Sequence, residues 1–122
     1  MKVYNGTREG YVAEVTVDGR PLNPRLDLWN HSPNGFEWGY GGSGPAQLAL
    51  ALLADHLGDG DKAVNLHYEF KRAVIADLPY RGWTLVTEQI QRALTALAAP
   101  VLPSGCLWLN DMGIERARKE SR

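Results

Sequence analysis

The sequence predicts an α+β domain in which a small antiparallel sheet from the N-terminal half packs against a buried helix and two further amphipathic helices. Residues 11–17 alternate apolar and polar side chains and run into Asp18-Gly19, a pattern typical of a strand that enters a hairpin turn. Residues 45–54 are apolar on nearly every side, as in a helix that is buried all round. Residues 62–78 carry apolar side chains at helical spacing. No helical pattern separates the first strands, so parallel βαβ units are not expected.

The N-terminal strands are interpreted as a meander. Val3-Tyr4 is the candidate first strand. Pro21 and Pro24 each remove a backbone donor, so we expect the return strand near Leu22 to be short or to lie at an edge. One face of the strand over residues 11–17 carries Tyr11, Ala13, Val15 and Val17.

A turn cluster leads into the centre of the chain. Residues 30–35, Asn-His-Ser-Pro-Asn-Gly, combine residue types that favour turns. The segment Phe36-Glu37-Trp38 follows, and we expect it to form a short strand beside the first hairpin. The segment from Arg25 to Asn34 is ambiguous, since the apolar residues Leu26, Leu28 and Trp29 precede the turn cluster.

The most strongly specified stretch is the glycine loop, residues 39–45, Gly-Tyr-Gly-Gly-Ser-Gly-Pro. Pro45 suits the first turn of a helix, because the donor it lacks would be unsatisfied there. Ser43 or Gly44 is then the expected cap. Gly58 fits the left-handed position that ends a helix.

Two more helices and one more strand complete the predicted domain. Asp61 is the expected cap of a helix over residues 62–78, which Pro79 ends. Residues 83–86, Trp-Thr-Leu-Val, predict a short strand or an extended connector. Thr87 is the expected cap of a third helix.

Length and composition limit the class of protein. A chain of 122 residues can bury a single core without staples, and we assign residues 1–100 to one domain. Residues 101–122 are expected to form a C-terminal extension, partly packed and frayed at its end. Hydrophobic residues make up 44% of the chain and charged residues 22%, which excludes the composition of a disordered protein.

Charge, cysteine content and hydropathy indicate the compartment and exclude some partners. The net charge of −1 does not supply the basic field that nucleic-acid binding needs. Cys106 is the single cysteine and cannot form an intramolecular disulfide, which favours a reducing compartment. No apolar run is long enough to span a bilayer. We therefore expect a cytoplasmic protein without membrane contact, and the sequence does not indicate its oligomeric state.

The glycine loop is one candidate ligand site. Backbone amides and the helix dipole favour an anion at a helix N-terminus. The loop lacks the Lys-Ser/Thr ending of a P-loop, the Gly-x-Gly-x-x-Gly spacing and the Gly-x-Ser-x-Gly motif. A turn that lets a buried helix pack tightly is the favoured interpretation. The residues placed to hold an anion are Gly41, Gly42, Ser43 and Gly44.

Aromatic and basic side chains form the second candidate surface, since aromatic residues and arginine suit the anchors of protein interfaces. No His-x3-His or Glu-x-x-His pair places two metal ligands on one helix face. Neither a metal nor a cofactor is therefore expected, and no residue is assigned a catalytic role. The candidate partner-binding residues are Trp29, Tyr40, Tyr68, Lys71, Arg72, Tyr80 and Arg81.

The same region resembles a known family. The resemblance rests on the run SPNGFEWGYGGSGPAQLALALL from Ser32, on Tyr68-x-Phe70-Lys71, on Leu78-Pro79 and on Trp83. These residues are similar to an uncharacterised domain-of-unknown-function family of short bacterial and phage-associated proteins. The resemblance spans residues 3–97 and leaves the tail outside. It implies a bacterial or mobile-element setting and brings no reaction, cofactor or catalytic residue.

Two functions stay open on the sequence alone. The favoured one is a non-enzymatic binding module that contacts a host protein or a small ligand through its aromatic and basic residues. The other is a small enzyme, or a nucleotide- or anion-binding protein, that uses Ser43 and the loop amides. In that case His31 or His56 would serve as the acid-base residue, if the fold brings either one near.

Overall fold

The structure is a computed structural model, and it describes residues 1–98. Its four strands form one antiparallel sheet, and its three α-helices confirm the predicted α+β class. The predicted C-terminal extension, with Cys106, lies outside the described residues. The elements are β1 (Val3–Glu9), β2 (Val12–Val17), β3 (Arg20–Pro21), α1 (Ser43–Leu57), α2 (Gly60–Ala73), a 3₁₀ helix (Ile75–Asp77), β4 (Gly82–Val86) and α3 (Thr87–Ala98). The strand order in the sheet is β3-β2-β1-β4.

The predicted turn at Asp18-Gly19 is confirmed. Both residues have positive φ, 49° and 83°, and they join β2 to β3, where Val17 pairs with Arg20. The return strand has two residues and lies at the sheet edge, as the prolines require. Tyr11 was expected to share a strand face with Ala13, Val15 and Val17, but it lies in the turn between β1 and β2 and is 102% exposed.

The strand predicted at Phe36-Glu37-Trp38 is wrong. The place beside β1 belongs to β4, which pairs with it from Val3↔Val86 to Thr7↔Gly82. Trp83 packs its indole directly over Gly6, where a Cβ would collide with it. Trp38 lies in the core with no exposed surface, and it is held by side-chain contacts instead of a strand ladder.

Helix α1 lies at the centre of the core, and every residue from Pro45 to Ala54 is buried. The expected cap at Ser43 or Gly44 is wrong: Gly42 is the N-cap and supplies no side-chain hydrogen bond. The predicted stop at Gly58 is confirmed, with a φ of 67° in the left-handed region. The apolar character of α1 therefore follows from burial on all its sides.

Helix α2 begins earlier and ends earlier than the sequence predicted. Asp59 is the cap instead of Asp61, because its Oδ1 accepts from the backbone N–H of Lys62 (3.2 Å). The helix ends at Ala73, and the 3₁₀ helix follows. The carbonyl of Ile75 accepts from the N–H of Gly39 (3.0 Å). The 3₁₀ helix therefore holds the first residue of the glycine loop in place.

Helix α3 buries Ile90, Ala93 and Leu94. Its first residue, Thr87, is joined to the start of the sheet, since its Oγ1 accepts from the backbone N–H of Lys2 (2.8 Å). Among residues 1–98, no helix combines the length and the apolar character that crossing a bilayer requires.

Candidate functional site

A single buried amide holds the loop between β3 and α1. Gln47 is the one strongly polar residue among the buried residues of α1 and has no exposed surface. Its Oε1 accepts from the backbone N–H groups of His31 (2.7 Å) and Ser32 (3.0 Å). Its Nε2 donates to the carbonyl oxygens of Pro24 (2.6 Å) and Trp29 (3.0 Å). These four bonds use the full capacity of the amide, so the loop is fixed on the helix.

His31 and His67 are 36 positions apart in the sequence, and their rings contact each other in the fold. The Nε2 atoms of His31 and His67 lie 2.9 Å apart. His67 is fully buried on α2, and its Nδ1 lies 2.6 Å from the carbonyl oxygen of Val64. A carbonyl only accepts, so Nδ1 of His67 carries the proton and its Nε2 presents a lone pair. His31 therefore donates its Nε2 proton to His67.

Aromatic rings cover this pair and remain partly exposed. Trp29 stacks on His31 with ring centroids 4.7 Å apart and an interplanar angle of 17°. Tyr68 meets Trp29 edge-on at 5.8 Å, and Lys71 Nζ lies 5.6 Å from the centroid of the Tyr68 ring. Trp29 is 43% exposed and Tyr68 39%. We call Trp29, His31, Tyr68 and Lys71 the aromatic patch.

Burial keeps both imidazoles of this region neutral. It lowers the pKa of His31 below its usual value, and the neighbouring His67 and Lys71 lower it further. Burial likewise lowers the pKa of His67, with the hydrogen bond to Val64 opposing this effect and the charge of Lys71 adding to it. The ordinary histidine pKa of 6.5 already lies below 7, so neutral rings dominate at pH 7.

A second cluster surrounds Arg8 in β1. Its Nη1 and Nη2 donate to the two carboxylate oxygens of Glu37 (3.1 and 2.8 Å), and its Nε donates to the carbonyl of Tyr80 (2.9 Å). Its Cζ lies 3.8 Å from the centroid of the Tyr80 ring and 4.7 Å from that of Trp38. Only 7% of the side chain is exposed. Arg8 therefore combines hydrogen bonds with ring contacts, and through Glu37 it links the segment before the glycine loop to the sheet.

The glycine loop is shaped by close packing. A Cβ on Gly44 would lie 2.7 Å from Glu37 Cβ, and one on Gly42 would lie 3.1 Å from the Tyr40 ring. Gly39 has a φ of 86°. Ser43 is the exposed first residue of α1. Gly41 is exposed, and the space that a Cβ would enter there is open.

The structure separates the acid-base candidates from the serine of that loop. Ser43 and His56 stand at opposite ends of α1, about 20 Å apart at the rise of an α-helix. His56 Nε2 contacts Gln91 Oε1 on α3 (2.9 Å). His31 is paired with His67 instead. No described contact joins Ser43 to an imidazole.

A polar cleft of about 210 Å³ opens on another side of α1. Asp55 lines it, and its Oδ2 accepts from Tyr4 Oη (2.6 Å) and Lys2 Nζ (3.1 Å). Burial first, and then the bond to Asp55, raise the pKa of Tyr4. The other lining residues are Leu22, Asn23, Arg25, Ala51 and Ala54.

The predicted partner-binding residues fall into groups. Trp29, Tyr68 and Lys71 come together in the aromatic patch. Tyr40 and Tyr80 lie in the environment of Arg8. Arg72 is exposed in the last turn of α2, and Arg81 is exposed in the turn before β4.

Sequence reasoning missed Gln47 and the pairing of His31 with His67. Gln47 did leave a signal: it is a lone amide inside a run of apolar residues, and a buried amide must find hydrogen-bond partners. The histidine pair left none, because its members are far apart in sequence. In the part of the chain that the structure describes, no three His, Cys, Asp or Glu side chains converge on a point that could hold a metal ion.

Comparison with known proteins covers the same region. A family of unknown function (DUF6166) matches residues 4–96, a range that includes Gln47, both histidines of the pair and the glycine loop. No curated protein and no solved structure matches the chain. Because the matched residues make up most of the sequence, the chain belongs to the DUF6166 family, a family of unknown function.

Proposed function

We propose that this domain is a non-enzymatic binding module, of bacterial or phage origin, that contacts another protein in the cytoplasm through the aromatic patch. The observation that carries the proposal is the partial exposure of Trp29 and Tyr68 on a rigid support. Large aromatic side chains at a surface are the residue types that dominate binding energy in protein interfaces. A host protein is the expected partner if the chain derives from a phage.

The support under the patch lowers the cost of binding. Gln47 fixes the backbone of Trp29 and His31 through two of its four hydrogen bonds. Trp29 is further held by its stack on His31. Side chains that are ordered before association lose less conformational entropy when a partner arrives. The aromatic patch is therefore ordered before a partner binds.

The charge beside the patch favours an acidic partner surface. Lys71 belongs to the patch, and Arg72 follows it on the exposed side of α2. Of the ion pairs within residues 1–98, none includes either residue. Opposite charge at the rim of an interface accelerates association and selects the partner.

The alternative function, an enzyme or an anion-binding protein built on the glycine loop, receives less support. Gly44 and Gly39 are accounted for by close approach and positive φ. Ser43 has no imidazole among its described contacts, and His56 is at the far end of the helix. An enzyme of this kind needs an imidazole beside Ser43, and residues 1–98 do not bring these two groups together.

A differential capture experiment tests the proposal. The full chain is immobilised and incubated with bacterial lysate, in parallel with Trp29→Ala and Tyr68→Ala. We expect a stoichiometric protein that the wild type recovers and that both variants lose. Recovery should also fall with rising salt and in Lys71→Ala, because the rim charge contributes.

The matched control is Tyr11→Ala, which removes a fully exposed tyrosine at the β1–β2 turn. It should recover the partner as the wild type does. A photocrosslinking residue at position 29 should label the partner, and the same residue at position 11 should not. If no stoichiometric protein is recovered, or if Trp29→Ala retains it, the proposal is wrong.

A further inference from the structure

We propose that His31 and His67 form a binding site for a divalent transition-metal ion of the imidazole-preferring kind, Cu²⁺, Zn²⁺ or Ni²⁺. The site is independent of the proposed function, because it needs no partner protein. Its basis is the convergence of two ring nitrogens, from the loop and from α2, to 2.9 Å.

The separation of the two nitrogens fits two ligands of one ion. Metal–imidazole bonds are about 2.0–2.1 Å long. At that length, two nitrogens at adjacent positions of a square or octahedral ion are about 2.9 Å apart, and in a tetrahedral ion they are about 3.3 Å apart. The observed 2.9 Å between His31 Nε2 and His67 Nε2 equals the first of these separations. Both rings turn on binding, so that the two lone pairs point to the ion and no longer along the line between the nitrogens.

The second nitrogen of His67 is arranged as in metal-binding histidines. Its Nδ1 donates to the carbonyl of Val64 at 2.6 Å. Metal-ligating histidines characteristically donate the other ring N–H to a carbonyl or a carboxylate, which fixes the tautomer that has a free lone pair at the metal. His67 Nε2 is therefore fixed as a ligand atom before any ion arrives.

Access and protonation are compatible with an ion. His67 is fully buried, but His31 is half-buried, so the ion enters from the side of His31. On binding, the Nε2 proton of His31 moves through solvent to Nδ1 of the same ring, so that both rings stay neutral and each Nε2 offers its lone pair to the ion. Water completes the coordination, since no third protein ligand joins the pair within residues 1–98.

Metal titration of the full chain tests the site. The probes are Cu²⁺, Zn²⁺ and Ni²⁺ added as simple salts to chelator-treated protein, followed by calorimetry. We expect one ion per chain, with Cu²⁺ bound most tightly. Bound Cu²⁺ should quench the fluorescence of Trp29, which stacks on His31 at 4.7 Å, and Trp29→Phe should remove that part of the quenching.

Three histidine variants locate the ion. His31→Gln and His67→Gln should each lower the affinity by at least about tenfold, because each removes one of two protein ligands. His56→Gln is the matched control, since His56 contacts Gln91 instead of the pair, and it should bind as the wild type does. His31 lies on a surface loop, so His31→Gln keeps the test decisive if His67→Gln fails to fold.

Three results would contradict the proposed metal site. The proposal is wrong if the wild type binds none of the three ions at about 100 μM, or if His31→Gln binds them as tightly as the wild type. If His56→Gln abolishes binding, the ion is bound elsewhere and the proposal is also wrong. None of these outcomes depends on capture of a partner protein, so the two proposals fail separately.

Discussion

The side-chain amide of Gln47 donates to the carbonyl oxygen of Trp29 across 3.0 Å. One residue is fully buried in the central helix, and the other is 43% exposed on the aromatic patch. The same amide group also holds Pro24, His31 and Ser32. A fully buried amide therefore fixes the backbone of a partly exposed aromatic residue.

Replacing that amide should destabilise the fold. In Gln47→Leu the N–H groups of His31 and Ser32 lose their acceptor, and buried unsatisfied groups cost about 1–3 kcal/mol each. We expect a loss of about 2–4 kcal/mol in the free energy of unfolding, measured in urea. The control Gln91→Leu changes an exposed amide and should lose far less. Equal losses would show that Gln47 does not hold the loop.

The glycine loop offers a matched pair of alanine substitutions. Gly44→Ala would place a Cβ 2.7 Å from Glu37 Cβ and 3.3 Å from the Glu37 backbone nitrogen. Because backbone cannot move aside cheaply, we expect a loss of about 1–3 kcal/mol. Gly41→Ala meets open space and should be neutral or slightly stabilising. Thermal unfolding of the two variants checks the contrast, and a stable Gly44→Ala would contradict the packing explanation.

The Arg8 cluster should require arginine specifically. Lysine keeps the charge but cannot make the paired contacts to Glu37 together with the bond to the Tyr80 carbonyl. Arg8→Lys should therefore lower stability by about 1–3 kcal/mol. Arg25→Lys is the control, since the Arg25–Asp27 pair is solvent-exposed and surface pairs contribute little. Urea titrations in which both variants match the wild type would rule out a structural role for the bidentate geometry.

Tyr4 should make the fold sensitive to alkaline pH. Burial and the bond to Asp55 raise its pKa above the ordinary 10.0, so the folded state keeps a proton that the unfolded state releases. Stability from this group is present below about pH 10 and falls as the pH rises beyond it. Melting temperatures between pH 8 and 11 should fall less steeply in Tyr4→Phe than in the wild type.

The control for that measurement is Tyr11→Phe, which changes a fully exposed tyrosine and should keep the wild-type slope. If Tyr4→Phe also keeps the wild-type slope, the hydrogen bond to Asp55 does not hold the proton in the way its 2.6 Å length indicates.

Local signals predicted much of the fold. The turn at Asp18-Gly19 and the stop at Gly58 were recognised because positive φ favours particular residue types at single positions. Helix α1 was recognised because burial on all sides requires an apolar sequence. Helix ends were less accurate: Asp59 and Asp61 both suit a cap, and only the observed geometry selects Asp59.

Segments that depend on distant partners were not predictable in the same way. Phe36-Glu37-Trp38 has the composition of a strand, yet β4 occupies the position beside β1. The candidate partner residues were named from chemistry alone, and their grouping into the aromatic patch and the Arg8 environment follows from the packing.

The sequence by itself determined the α+β class, the central buried helix and the tight turns, because these depend on periodicity and on backbone preferences of neighbouring residues. The tertiary structure alone decided which side chains meet. The contacts of Arg8 with Glu37 and of His31 with His67 span 29 and 36 positions, and the burial that keeps both imidazoles neutral exists only in the folded chain. Contact across such distances depends on how the elements pack, and packing is a property of the whole chain.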